Sequence, residues 1–352
     1  MGISTIRIAG AGLAGLAAAV RLAQWGHPVE VFEKNADSGL ARHADWDAME
    51  NWTTERDLMD LLGDWGLAPS FAHRAPLDFA IYDAAGERYP FHTVYPFFYL
   101  IQRGPGSGSI EQALKQQAFD CGVVLHYGCP VDRSNVDIWA VGARSRGFFL
   151  GAGVTFHTRH PDTVIGLVDN SVAPRAYAYL VIVDGLGTLS VVLTRDFKNA
   201  RSYLNRAIEF YQTVLPLEME NVRMTSGYGG RVQGLQETST QRPLVVGEAA
   251  GLQDFLWGFG IRNALHSGYL AARALHEDTD YADLVAREIH PLVRSSIVNR
   301  MFYDRAGNRT CRALLRRFRS APNLDRSIGF WYRGSALHRL LWPLAARLYR
   351  SQ

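Results

Sequence analysis

The chain has 352 residues, of which 47% are hydrophobic and 20% charged, enough apolar material for a sizeable core and more than one domain. A formal net charge of only +3 gives no global field that would call for a nucleic-acid partner. Cys121, Cys129 and Cys311 form neither a disulfide framework nor a metal-ligand cluster, so no metal is expected and a reducing cytoplasm suits the chain.

Met1 to Gly15 is apolar without the long hydrophobic core and cleavage site of a secretory signal. Within it Ile3 to Ala9 reads as a buried strand, followed by an Ala/Leu-rich helix from Leu13 to Trp25 and a second strand from Pro28 to Phe32. Asn51 to Trp65 carries Leu58, Leu61, Leu62 and Trp65 at helical spacing. Leu77 to Ile101 turns aromatic and β-branched, which predicts strands. A helix is expected from Ser109 to Cys121, with strands at Val123 to Tyr127 and Val136 to Val141. Gly151 to Leu193 reads as consecutive antiparallel strands turning at Asp162, Asn170 and Asp184-Gly185. Phe197 to Leu215 is helical; Leu244 to Val246 is a strand that enters a Gly-rich turn and the helix Ile261 to Leu275. From Tyr281 the chain is helical and basic. Arg305 to Gln352 holds eleven Arg and one acid, Asp325, a local +10 that leaves −7 for the rest.

Strand–helix alternation broken twice by β-rich stretches implies an α/β fold: a Rossmann-type dinucleotide domain with an inserted antiparallel β-sheet substrate domain and a helical C-terminus. The expected division is 1–70, 98–150 and 222–280 for the discontinuous nucleotide domain, 71–97 and 151–221 for the β-sheet domain, and 281–352 for the basic helical region.

The strongest motif is Gly10-Ala11-Gly12-Leu13-Ala14-Gly15, between the first strand and first helix. Gly10 permits the tight turn, Gly12 lets the backbone approach a pyrophosphate, and Gly15 lets the helix lie close on the strand. Helix N–H groups and dipole then face the phosphates. Glu33, eighteen residues past Gly15, ends the second strand where an acid accepts ribose hydroxyls, and Lys34 follows it. This acid disfavours a 2′-phosphate, so the unit takes an ADP moiety rather than NADPH.

A second Gly-rich segment, Leu244-Val245-Val246-Gly247-Glu248-Ala249-Ala250-Gly251, runs toward Gly258-Phe259-Gly260-Ile261 at a helix start. It offers a further contact zone, with an acid for ribityl hydroxyls and helix N–H groups for a flavin ring, which points to FAD. With this pair of motifs the chain resembles the FAD-dependent hydroxylases and geranylgeranyl reductases over roughly residues 3 to 275. The resemblance implies an FAD-dependent oxidoreductase with Gly10, Gly12, Ala14, Gly15, Glu33, Lys34, Arg42, Arg103, Gly247, Glu248, Gly258, Gly260 and Ile261 as cofactor-binding residues. Glu248 stands where that family has Asp, and Tyr177-Ala178-Tyr179-Leu180-Val181 only partly matches the reductases' aromatic substrate strand. No Trp-x-Trp-x-Ile-Pro halogenase signature is present.

In such enzymes the segment Ala41 to Trp52 approaches the flavin ring, which makes His43 and Asp47 candidates for proton transfer or for shaping the flavin face. Trp257 and Tyr177 are the other expected catalytic-site residues. The substrate is expected to be apolar, met either by carbon–carbon double-bond reduction or by monooxygenation. A non-redox flavin-dependent cyclase or isomerase, or a flavoenzyme modifying a side chain of a partner protein, are the alternatives. NAD(P)H would be a transient reductant, since no second GxGxxG unit exists. The Arg- and Trp-rich C-terminus is consistent both with docking on its own domain and with peripheral contact at the inner face of a membrane, in an otherwise cytoplasmic protein.

Overall fold

The structure is a computed structural model that describes residues 4–53, 56–142, 147–230, 232 and 241–349. Ile3 of the expected first strand and Arg350 of the basic terminus lie outside them.

The chain begins with β1 (Ile6–Ala9), α1 (Leu13–Gln24), β2 (Val29–Glu33), β3 (Trp46–Glu50) and α2 (Leu58–Asp64). Next come β4 (His73–Arg74), β5 (Asp78–Asp83), β6 (Arg88–His92), β7 (Phe98–Gln102), α3 (Ile110–Asp120), β8 (Val124–Tyr127) and β9 (Ile138–Trp139). A β-rich stretch holds β10 (Phe149–His157), β11 (Thr163–Val168), β12 (Tyr177–Val183) and β13 (Leu186–Leu193), then α4 (Ala200–Val214) and β14 (Glu220–Gly229). The chain ends with β15 (Leu244–Val245), α5 (Ile261–Glu277), α6 (Tyr281–Glu288), α7 (His290–Tyr303), α8 (Asn308–Arg319), α9 (Leu324–Tyr332) and α10 (Ala336–Tyr349).

Three sheets organise these elements. The first is all parallel, in the order β15-β9-β1-β2-β8. Its strands are short and apolar, and α1 covers them with Leu16, Ala17, Ala18 and Ala19, all fully buried. Small residues let α5 press against α1: a Cβ at Gly268 would lie 2.2 Å from the Ala14 carbonyl oxygen. The second sheet has seven strands in the order β14-β10-β13-β12-β11-β5-β6, and α4 covers it with buried Leu204, Ala207 and Tyr211. The third is β3-β7-β4; its β3 meets the large sheet, the Trp46 N–H donating to Thr188 Oγ1 of β13 at 3.0 Å, and meets α5 through Glu50 and Arg262.

Several expectations need correction. Of the four strands of 149–193, β11, β12 and β13 are antiparallel neighbours in chain order, but β10 joins them on the far side of β13, and β11 also pairs in parallel with β5. Residues 222–229, assigned from the sequence to the nucleotide domain, lie in β14 and hydrogen-bond β10 in the large sheet. The helix expected from Asn51 starts only at Leu58, because the Asp57 side chain accepts from the Met59 N–H and caps it there. The strand expected over Val136 to Val141 shortens to Ile138–Trp139. Trp46–Glu50, not expected as a strand, pairs antiparallel with β7.

Candidate functional site

The site is built where α1, the loop after β15 and the third sheet converge. Gly10 has φ +99°, and a Cβ there would come within 2.5 Å of the Ala140 carbonyl oxygen. A Cβ on Gly15 would lie 2.0 Å from the Gly10 carbonyl oxygen, so this glycine sets the closeness of helix to turn. Gly12 differs: it caps α1 with extended backbone, and nothing lies within 4 Å of where its Cβ would be. Bare backbone thus faces open space at the positive end of the helix, the cradle a pyrophosphate needs. Glu33 is buried; its Oε2 accepts from the Ala11 N–H at 3.0 Å and its Oε1 from Asn35 N–H and Nδ2 at 2.9 and 2.7 Å. Those bonds hold the carboxylate against the turn and leave acceptor capacity for a ribose hydroxyl. Lys34 is exposed at the strand end. The residues fit an ADP moiety.

The late motif meets this turn directly. Gly247 has φ +63°, and its Cβ would fall 3.0 Å from the Ala14 Cβ, while its N–H is fixed by Ser267 Oγ of α5 at 2.9 Å. Residues separated by more than 230 positions in sequence therefore form one surface. Glu248 Oε1 accepts from the Gly230 N–H at 3.0 Å, which ties the loop to the end of β14. Gln253 Nε2 donates to the Gly258 carbonyl at 2.7 Å, and Gly260 precedes Ile261 at the start of α5.

Arg42 and Arg103 come together through their loops, since a Cβ on Gly104 would lie 2.8 Å from the Ala44 nitrogen. Asp47 bridges them: its Oδ2 accepts from Arg42 and, at 3.0 Å, from Arg103. Glu111 takes Arg103 Nε at 2.8 Å and the Gly104 N–H at 3.0 Å, and Asp45 pairs with Arg42 at 3.3 Å. Burial works against the charge on Arg42, but Asp47, Asp45 and Glu111 outweigh it and raise its pKa. Tyr179 of β12 faces this cluster; burial, then Asp47 and Asp45, push its hydroxyl well above the usual tyrosine range. His43 stands exposed on the neighbouring loop and is not drawn into the cluster.

Tyr177 and Trp257 are brought together, the Tyr177 hydroxyl donating to the Trp257 carbonyl at 2.6 Å with the rings edge-on at 6.0 Å. Trp257 also walls a recess of about 530 Å3, counting its open mouth, with Val168, Tyr303, Cys311, Phe318 and Tyr332. Its lining is almost wholly apolar. At its edge Asp254 is buried and accepts from the Trp257 and Leu256 N–H groups and, at 3.2 Å, from the Tyr332 hydroxyl. Burial raises its pKa to about 6 against the pull of those backbone donors. Nearby, Glu50 of β3 and Arg262 of α5 form an ion pair at 3.1 Å, both nearly inaccessible. Sequence reasoning missed Asp254, Glu111 and the Glu50–Arg262 pair. Asp254 lay within the late glycine segment and was open to notice, whereas partners 212 residues apart left no local signal.

A parallel sheet with a glycine turn, a grafted seven-stranded sheet and a helical cover define the class by fold: a Rossmann-type α/β fold with a large second β-sheet. Residues 8–47 match the model of the NAD(P)-binding Rossmann-like domain. No curated protein sequence matches the chain. Among solved structures, a geranylgeranyl bacteriochlorophyll reductase-like protein from Thermoplasma acidophilum aligns with TM-score 0.70 at 16% identity, over 99% of this chain and 100% of the other. A flavoprotein/dehydrogenase from Cytophaga hutchinsonii gives TM-score 0.64 at 13% identity over 99% of both chains. CmlS, a flavin-dependent halogenase, gives 0.59 at 17% identity over 100% of this chain and 72% of that one. The fold of this chain is the one those proteins share.

Proposed function

We propose that this chain is an FAD-dependent oxidoreductase that reduces a carbon–carbon double bond in an apolar organic substrate, with NAD(P)H or a partner protein as electron donor. The observation that carries the cofactor assignment is the meeting of the two glycine turns at Ala14 and Gly247, beside a Gly12 whose missing side chain leaves the helix N-terminus open. In this reading the five-stranded parallel unit holds the cofactor and the large sheet supplies the substrate side. Gly10 to Gly15 and Glu33 would hold the ADP half, and Glu248 with the N-terminus of α5 at Gly260 and Ile261 would hold the flavin half. Bound and reduced, FAD supplies a hydride.

The protein's own part is positioning and exclusion of water. Asp47 fixes Arg42 and Arg103 in one orientation, so neither guanidinium needs reordering when an anionic group arrives. Trp257, Tyr303 and Phe318 offer an apolar wall to the substrate. Asp254, with its pKa near 6, holds a proton at the edge of that wall at mildly acid pH, in contact with the Tyr332 hydroxyl. His43 is the solvent-side candidate for returning protons to the site.

Reduction finds support in the reductase-like neighbour, which aligns over the full length of both chains. Turnover of the reduced protein with a trial isoprenoid under strictly anaerobic conditions tests it. Product formed without oxygen is expected; strict oxygen dependence would replace reduction by monooxygenation, and product with no net consumption of reductant would replace it by isomerisation.

A further inference from the structure

We propose that the outward face of α9 and α10 docks the protein on an anionic lipid surface. Helix α10 packs on α7 through Ala345, Ala346 and Tyr349, whose hydroxyl bonds Asp304 at 2.6 Å. Its opposite face is apolar and exposed: Leu337, Leu340, Leu344 and Leu348 are 55, 76, 58 and 44% accessible. At 100° per residue these four fall in an arc of about 80°. They form a continuous leucine stripe along the helix, not scattered surface residues. Phe330 of α9, 69% accessible, adds an aromatic side chain. An apolar stripe of this length on a terminal helix marks an interaction surface.

Charge selects the occupant. Of the eleven Arg from 305 onward, Arg312 pairs with Asp83, and Arg316 and Arg319 pair with Glu87. Arg347 stands exposed beside the stripe and Arg339 is exposed farther round the same helix, and the sole acid of this region, Asp325, is half-buried. A two-fold contact with a second copy would oppose these like charges with no acid between them. Phospholipid headgroups meet both requirements at once, anions for the Arg and acyl chains for the leucines. The placement also serves the recess. Helix α9 turns Ile328, Trp331 and Tyr332 into its lining and Phe330 outward, so one nine-residue helix separates the docking face from the apolar wall.

Co-sedimentation of the full chain with phosphatidylcholine vesicles, with and without phosphatidylglycerol, tests the surface without any turnover. It therefore stands or falls apart from the proposed reaction. The protein is expected to pellet with the anionic vesicles, less with pure phosphatidylcholine, and less again as salt rises. Leu340→Glu/Leu344→Glu is expected to weaken partition about tenfold or more, the equivalent of 1.4 kcal/mol, without altering elution volume. Arg347→Glu should weaken it at low salt only. Wild-type protein that stays in the supernatant with anionic vesicles would overturn the proposal. So would a double variant that pellets like wild type, or a wild-type dimer that the double variant splits.

Discussion

His290 shows how one buried side chain writes a pH dependence into the whole protein. It sits 6% exposed at the start of α7, and its Nε2 is buried without a hydrogen-bond partner among the described residues. Burial, and then the Arg294 guanidinium, push its pKa down to about 4. The folded state thus prefers the neutral ring, so its stabilising contribution is complete above the ordinary value of 6.5 and drains away as pH falls toward 4. A shift of that size corresponds to about 3 kcal/mol. His266, buried and stacked on Trp65, is lowered for the same leading reason and adds in the same direction. Melting temperatures measured from pH 7 to pH 4 are expected to fall, and His290→Gln to flatten part of that fall. An unchanged profile in the variant would remove His290 from the account.

Between elements, the buried Glu50–Arg262 pair joins β3 to the first turn of α5, beside the loop that carries Gly258 and Gly260. Removing one partner strands a charge in a dry environment, which costs about 3–5 kcal/mol. Glu50→Ala is therefore expected to lower stability by that amount in urea unfolding. The double variant Glu50→Leu/Arg262→Met should recover most of it, and a double variant no better than the single would contradict the pairing.

Elements whose signals are local were legible in the sequence: strand, glycine turn, Ala-rich helix and terminal acid needed only Ile6 to Glu33 to declare themselves. Trp46 to Glu50 lacks β-branched residues and was invisible as a strand, since its pairing is decided by β7 some fifty residues later. Hydrophobic spacing alone extends α2 back toward Asn51, whereas the Asp57 cap starts it at Leu58. The resemblance singles out Arg103 and the sequence names Asp47, yet that Asp47 and Glu111 both hold Arg103 is decided by tertiary contact.

At the scale of the whole molecule, two glycine turns far apart in sequence are closed onto one surface by α1 and α5. Everything proposed about chemistry depends on that surface gripping FAD. The glycines separate binding from folding: a side chain at Gly15 collides with the Gly10 carbonyl and should cost the fold, whereas one at Gly12 meets no protein atom. The visible absorption spectrum of the purified protein, or of protein reconstituted with FAD, measured beside Gly12→Val, is the most direct test. The account predicts flavin bands in the wild type and their loss in Gly12→Val at unchanged melting temperature of the apoprotein. A colourless wild type that refuses reconstitution, or a Gly12→Val variant that retains full flavin, would contradict it.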